Sequence, residues 1–201
     1  LSIGAVGSTS GLKATTVSLT TANGNIGQTQ KITATDLTLN SNSIVQGNNI
    51  DLSLAAGNSV TNLQSASARC ATGSCSVGAS ATPSLQFTNA TALNLVSTID
   101  AGNGAAVFKT LTGNLTLAGS STVLRSALAG TAANYANAII LVAGANTAAN
   151  FVDSNNGFTS LQVSGANPRY LIYSKDASSI TLGGLAAPSY STVRAIVQAL
   201  D

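Results

Sequence analysis

Histidine is absent from the 201-residue sequence, so the commonest general base and metal ligand of proteins is missing. The acidic side chains are spread along the chain as Asp36, Asp51, Asp100, Asp153, Asp176 and Asp201. If strands stack into a coil, Asp36 and Asp51 could lie on neighbouring turns, as polysaccharide-cleaving β-helix enzymes place their carboxylates. Such a pair in Asn- and Thr-rich sequence also fits a solvated face. We therefore predict no catalytic, cofactor-binding or metal-binding residues, with a polysaccharide-active enzyme as the alternative.

The two cysteines, Cys70 and Cys75, enclose four small or polar residues. With no other Cys or His to complete a metal site, these thiols most simply form a disulfide in an oxidising compartment. The closed loop is short, so the expected stabilisation is at the low end of about 2 to 4 kcal/mol. Two unpaired thiols in a reducing cytosol are the alternative, and the spacing is not the Cys-x-x-Cys of a redox-active pair. We predict a disulfide that rigidifies a loop tip.

Asn89 and Asn114 each begin an Asn-x-Thr sequence, the acceptor pattern for N-linked glycans. Because a chain this rich in Asn and Thr contains such matches by chance, the two residues are candidate acceptors only. Tyr170, Tyr173 and Tyr190 would form a stacking platform for a sugar if all three were exposed. A carbohydrate-binding module is therefore a further alternative.

Composition excludes several classes of protein. A formal charge of +2 is too small to hold nucleic acid or an anionic membrane by electrostatics alone. The combination of 44% hydrophobic residues with little net charge argues against wholesale disorder. No apolar run reaches the roughly 18 residues of a membrane-spanning helix. The chain begins at Leu1 without a basic segment, so we expect a mature or excised piece of a soluble or secreted protein.

Short alternations of apolar and polar residues recur along the chain and predict strands. The anchor leucines are spaced by 20 residues from Leu19 to Leu39, 22 from Leu95 to Leu117, 24 from Leu117 to Leu141, and 15 from Leu39 to Leu54. An imperfect repeat near 20 to 25 residues is the length of one turn of a β-solenoid. An antiparallel sandwich is the alternative, but few aromatic residues are present to fill its core. We predict an all-β fold built as a parallel β-helix.

The predicted β-helix covers residues 1–185, with loop excursions near 64–83 and 126–136 where strand periodicity is lost. Residues 186–201 are predicted to contain a short C-terminal helix that caps the coil or forms a linker. The helix is indicated by apolar residues at offsets of 3, 4 and 7 behind candidate N-caps: Val193, Ile196, Val197 and Leu200, after Ser189 and Ser191.

Several segments resemble the filamentous-haemagglutinin-like exoproteins of bacterial two-partner secretion. Four of them occur in this order: NAIILVAG at 137–144, NFVD at 150–153, RYLIYSKD at 169–176 and TLGGL at 181–185. Upstream segments are similar to the repeat units of the same family: VSLT at 17–20, NGNIG at 23–27 and IDLSL at 50–54. The Asn-Pro-Asn-Gly signature of the family's secretion domain is absent. The resemblance therefore points to a stem or C-terminal portion.

The resemblance implies a right-handed parallel β-helix that acts as a secreted adhesin or biofilm-matrix fibre. It implies export through an outer-membrane secretion partner, to the surface or surroundings of a Gram-negative bacterium. The expected partners are glycans or proteins of host cells or of the matrix, together with other copies of the chain in fibres. Neither a cofactor nor a nucleic acid is expected.

Overall fold

A computed structural model of the protein describes residues 2–3, 11–22, 24–41, 49–68, 85–131, 133–155, 160–174, 180–183 and 194–199, with backbone only for the first and last of these ranges. Within them the fold is all-β and contains no helix, which confirms the predicted class. In the same residues, no helix is long and apolar enough to cross a membrane.

The described strands follow one another along the chain with short connections in most places. They are β1 (Ser2–Ile3), β2 (Leu12–Thr21), β3 (Ile26–Gln28), β4 (Ile32–Ser41), β5 (Ile50–Leu52), β6 (Ser59–Ser67), β7 (Leu85–Asn89), β8 (Leu93–Leu95), β9 (Thr98–Asp100), β10 (Ala106–Thr110), β11 (Leu115–Leu117), β12 (Val123–Ser126), β13 (Ala136–Ala143), β14 (Phe151–Asp153), β15 (Leu161–Val163), β16 (Pro168–Ser174) and β17 (Arg194–Ala199).

These strands form two sheets, and the chain alternates between them. Sheet A has the order β1-β3-β5-β7-β10-β13-β16-β17, while β2, β4, β6, β8, β9, β11, β12, β14 and β15 form sheet B. Every pairing between these strands is parallel, as in β2 with β4 and β10 with β13. The antiparallel sandwich is therefore wrong for the described strands. We call one strand of sheet A, with the sheet B residues that follow it, a pass.

Sheet B divides into two branches after its third strand, β6. The strands β2, β4 and β6 are 10, 10 and 9 residues long, whereas the later strands of this sheet have three or four residues. Strand β6 pairs with β8 through Asn62 and Leu63, and with β9 through Ala66 and Ser67. From there, β8-β11-β14 and β9-β12-β15 continue as separate branches.

Inward-facing side chains stack in rows because successive passes pair in register. One row of sheet A runs through Ile26, Ile50, Leu85, Ala106, Ile139 and Tyr170. A row of sheet B runs through Val17, Leu37, Leu63, Leu95 and Leu117. All of these side chains are buried. Fully burying one of the Val, Leu or Ile side chains in these rows stabilises the fold by about 1.5 to 3 kcal/mol.

The repeat predicted from leucine spacing is correct at two of its four positions. Leu19 pairs with Leu39, and Leu95 with Leu117. The other two spacings are wrong, because Leu39 pairs with Ala66 and Leu117 with Asp153. Segments of different length connect the passes, so one fixed period cannot hold along the chain.

The predicted C-terminal helix is wrong where the structure describes the chain. Arg194–Ala199 forms β17, which pairs in parallel with β16. A six-residue stretch with the adjacent β-branched Ile196 and Val197 suits a strand, and the open edge of β16 supplies its hydrogen-bond partners.

The two predicted excursions are described only in part by the structure. Residues 64–67 belong to β6, so the first excursion cannot begin at residue 64, and residues 69–84 lie outside the described part of the chain. At the second excursion, residues 127–131 and 133–135 are not in strands, whereas Ser126 ends β12 and Ala136 begins β13.

Candidate functional site

A row of polar side chains crosses the outward face of sheet B. Thr16, Asp36, Asn62, Asn94 and Thr116 are successive register partners on β2, β4, β6, β8 and β11. Asp36 Oδ1 accepts hydrogen bonds from Asn62 Nδ2 at 3.0 Å and from Gln64 Nε2 at 2.7 Å. Asn62 Oδ1 in turn accepts one from Asn94 Nδ2 at 3.0 Å. We call Asp36, Asn62, Gln64 and Asn94 the carboxylate–amide row.

The amides of this row stabilise the charge on Asp36. Hydrogen bonds from Asn62 and then Gln64 lower the pKa of the Asp36 carboxyl below its ordinary value of 3.8, against a smaller opposing effect of desolvation. A carboxyl with a lowered pKa is ionised near neutral pH and is a poor general acid. The row presents hydrogen-bonding oxygens and amides rather than acid–base chemistry, so it suits recognition of hydroxyl groups.

The structure does not bring Asp36 and Asp51 together, so the stacking considered for the enzyme alternative does not occur at these two residues. Asp36 lies on β4 of sheet B, while Asp51 lies on β5 of sheet A between Gly27 and Gln86. The Asp51 carboxylate accepts hydrogen bonds from the backbone N–H and hydroxyl of Ser53 at 3.1 and 2.5 Å. The two residues separate because consecutive strands join different sheets.

The other described aspartates also lie apart from one another. Asp100 is on β9, in register with Ser67 and Arg125, and its Oδ1 accepts a hydrogen bond from Gly102 N. Asp153 is buried at the end of β14. Among the residues that the structure describes, no group of three or more His, Cys, Asp or Glu could hold a metal ion. Asp176, Asp201, Cys70 and Cys75 lie outside the described residues.

A second polar arrangement lies inside the fold, where the chain passes from sheet A to sheet B. Asn58 and Asn89 form an isolated parallel bridge, and both side chains are fully buried. Asn58 Oδ1 accepts a hydrogen bond from Ile32 N at 2.8 Å, and its Nδ2 donates to Leu52 O and Thr88 O, each at 3.0 Å. The amide thereby satisfies backbone groups that the bend would leave unpaired.

Asn89 performs the same task one pass further along. Its Oδ1 accepts a hydrogen bond from Val60 N at 2.9 Å, and its Nδ2 donates to carbonyl oxygens of Val60, Thr91 and Ala92 at 2.9 to 3.1 Å. A glycan on Nδ2 would displace these bonds in the folded chain. Asn114, by contrast, is exposed and accepts a hydrogen bond from Asn150 N through Oδ1.

Close packing of the backbone accompanies these buried amides. Gly57, just before Asn58, has φ 72°, and a Cβ at this position would lie 2.6 Å from Ala90 N. Glycine is required because both the conformation and the approach exclude a side chain. The sequence signals turns through Asn and Gly, but it does not reveal which Asn side chains face inward.

The platform of three exposed tyrosines that would support the carbohydrate-binding alternative does not form. Tyr170 is only 6% exposed and belongs to an inward row, so it cannot stack on a sugar. Tyr173, three residues later on β16, is half-buried. Tyr190 lies outside the described residues.

Comparisons with protein-family models, with curated proteins and with solved structures found no match to this chain.

Asp36 provides a test of the carboxylate–amide row. Titration of its carboxyl carbon by NMR should give a midpoint below 3.8, and Asn62→Ala should raise it, because the larger of the two stabilising hydrogen bonds is lost. Stability contributed by this carboxylate is complete above the unfolded pKa and is lost as the pH falls through the folded one. Thr116→Ala, on the same outward face of sheet B, should leave the midpoint unchanged. A midpoint at 3.8 or above would contradict the assignment.

Replacing the buried Asn89 should destabilise the fold more than replacing the exposed Asn114. We expect Asn89→Ala to destabilise the fold by about 2 to 3 kcal/mol, because buried backbone groups lose their partners. The matched variant Asn114→Ala removes an exposed hydrogen bond and should cost less than about 1 kcal/mol. Urea unfolding followed by circular dichroism measures both. Equal losses would show that Asn89 is not a structural amide.

Proposed function

We propose that the chain is a segment of a secreted, right-handed parallel β-helical stalk that serves in cell adhesion or in a biofilm-matrix fibre. One observation carries this proposal: all pairings between the described strands are parallel, and in each sheet they place one pass beside the next. A coil built in this way needs only contacts between neighbouring passes. Its length can therefore grow by adding passes, which suits a spacer that holds a surface away from a cell.

The interior supports a structural role for most of the chain. The buried rows are dominated by leucine, isoleucine, alanine and phenylalanine, and the buried amides Asn58 and Asn89 serve backbone groups. Polar side chains on the outward face are mainly neutral, such as Thr16, Thr38 and Ser65 in sheet B. A surface of hydroxyls and amides fits hydroxyl-rich partners and does not attract nucleic acid.

We further propose that the carboxylate–amide row is the part of the stalk that contacts a glycan. Its members occupy adjacent strands, so they repeat at the strand spacing of roughly 4.8 Å. Matrix or host glycans are the partners that its hydrogen-bonding groups suit. The resemblance to filamentous-haemagglutinin-like exoproteins motivates the remaining proposals: export through an outer-membrane partner, a location at or outside a Gram-negative cell, and self-association into fibres.

Binding to an array of neutral and acidic glycans tests this function. We expect the purified chain to bind, and Asp36→Ala combined with Asn62→Ala to weaken binding about tenfold or more, since several hydrogen bonds are lost. The matched control is Asp51→Ala, which removes a carboxylate from sheet A and should bind normally. Release of new reducing ends would instead identify an enzyme. Equal binding by all variants would exclude the row, and no binding would exclude glycan recognition by this segment.

A further inference from the structure

Asp153 occupies a position that the preceding passes fill with apolar side chains. The inward row of sheet B that contains Leu63, Leu95 and Leu117 continues in register to Asp153 on β14. The Asp153 side chain is 1% exposed. A carboxyl group thus stands in the core at the place of a leucine, where an unpaired charge is strongly unfavourable.

The described hydrogen bonds around Asp153 leave one oxygen of Asp153 and one of Asn155 without a donor. Asp153 Oδ1 accepts a bond from Asn155 N at 2.9 Å, and the Asp153 carboxyl also accepts one from the side chain of Ser160. Asn155 Nδ2 donates to Thr122 O and to Ser160 Oγ, both at 3.0 Å, so both of its amide hydrogens are used. Within the part of the chain that the structure describes, the buried oxygens Asp153 Oδ2 and Asn155 Oδ1 have no hydrogen-bond partner. A buried acceptor oxygen without a donor is costly, so these two oxygens, on side chains two residues apart in sequence, call for a proton, a water molecule or a cation.

No described charged side chain faces this position to balance a carboxylate. Of the strands packed against β14, β11 and β13 carry no ionisable side chain. On β16, Arg169 and Tyr173 lie in outward positions, and Tyr170 faces inward as a buried phenol. On β12, next to Ser160, Arg125 is exposed and donates to Gln162.

A proton suits this site better than a divalent cation. Calcium takes six to eight oxygen ligands. The described side chains at the site that carry oxygen are Asp153, Asn155 and Ser160, together with Thr122, whose hydroxyl is already bonded to the preceding pass. A single proton on Oδ2 would turn one unpaired acceptor into a donor for the other.

We propose that Asp153 is a neutral carboxylic acid in the folded protein, that its Oδ2–H donates to Asn155 Oδ1, and that loss of this proton makes the pass containing β14 sensitive to pH. Burial raises the pKa of the Asp153 carboxyl, against smaller opposing effects of the hydrogen bonds from Asn155 N–H and Ser160. This direction agrees with the geometry.

The sign of the effect on stability follows from proton binding. Between the unfolded pKa and the higher folded one, the unfolded chain has released its proton while the folded chain retains it. Stability is therefore greatest at acid pH and falls as the pH rises through this window. Each unit by which folding raises the pKa changes the unfolding equilibrium tenfold. The opposite effect of Asp36 is confined to pH values below its own unfolded pKa.

Asp153→Asn tests the proposal, because the amide keeps the shape and a donor but does not titrate. In urea unfolding between about pH 4 and pH 8, the wild-type chain should lose stability with rising pH by at least about tenfold in the unfolding constant. The Asp153→Asn variant should lose this component, and the matched Asp51→Asn variant should retain it. Hydrogen exchange should locate the wild-type loss at the peptides that contain β11 and β14.

A spectroscopic measurement keeps the test decisive if the variant does not fold. Infrared spectra of the wild-type chain near pH 5, where exposed aspartates are largely ionised, should show the carbonyl band of a protonated acid. This band should disappear as the pH rises further. Absence of the band overturns the proposal. So does stabilisation of the wild-type chain at neutral pH by calcium chloride without a similar effect on Asp153→Asn, which would assign the site to a cation.

Discussion

Register between neighbouring parallel strands is the constraint on which the rest of this structure depends. A slip of one residue on any strand would turn its inward side chains outward. Val17, Leu37 and Leu63 form one buried row only because β2, β4 and β6 pair in register. Strands of three residues, such as β8 and β11, are too short to be stable alone. Each pass therefore takes its conformation from the passes beside it.

Buried polar side chains supply hydrogen bonds at the bends, where pairing between neighbouring strands does not provide them. At each bend the backbone leaves a sheet, and its N–H and C=O groups lose their partners in the neighbouring strand. Asn58 and Asn89 supply these missing hydrogen bonds from inside the fold. Asp153 differs, since it adds an acceptor where the described surroundings provide too few donors. Polar residues in the core thus serve two purposes, backbone satisfaction in the first case and, by our proposal, proton binding in the second.

The sequence predicted the strand class and part of the register, and the failures have physical causes. Periodic leucines identify register partners where passes have similar lengths, as for Leu95 and Leu117. Regular spacing does not identify register partners where a longer segment lies between two strands, as between Ile50 and its partner Leu85. Asp36 and Asp51 do not form a pair, and their spacing in sequence could not show this, because spacing does not determine which sheet a strand joins. Asn89 carries a glycan-acceptor sequence, yet its local pattern gives no sign that its amide faces the core.

The distance between two labelled residues of the outward row of sheet B tests the stacking most directly. Thr16 and Thr116 are separated by four parallel strand pairings, so their Cα atoms should lie about 19 Å apart although 100 residues separate them in sequence. Spin labels on Thr16→Cys and Thr116→Cys, with Cys70→Ser and Cys75→Ser, report this distance by pulsed electron resonance. In-register stacking requires a single narrow distribution between about 15 and 30 Å, once the label arms are included. A broad distribution, or a distance beyond about 40 Å, would contradict the stacked arrangement.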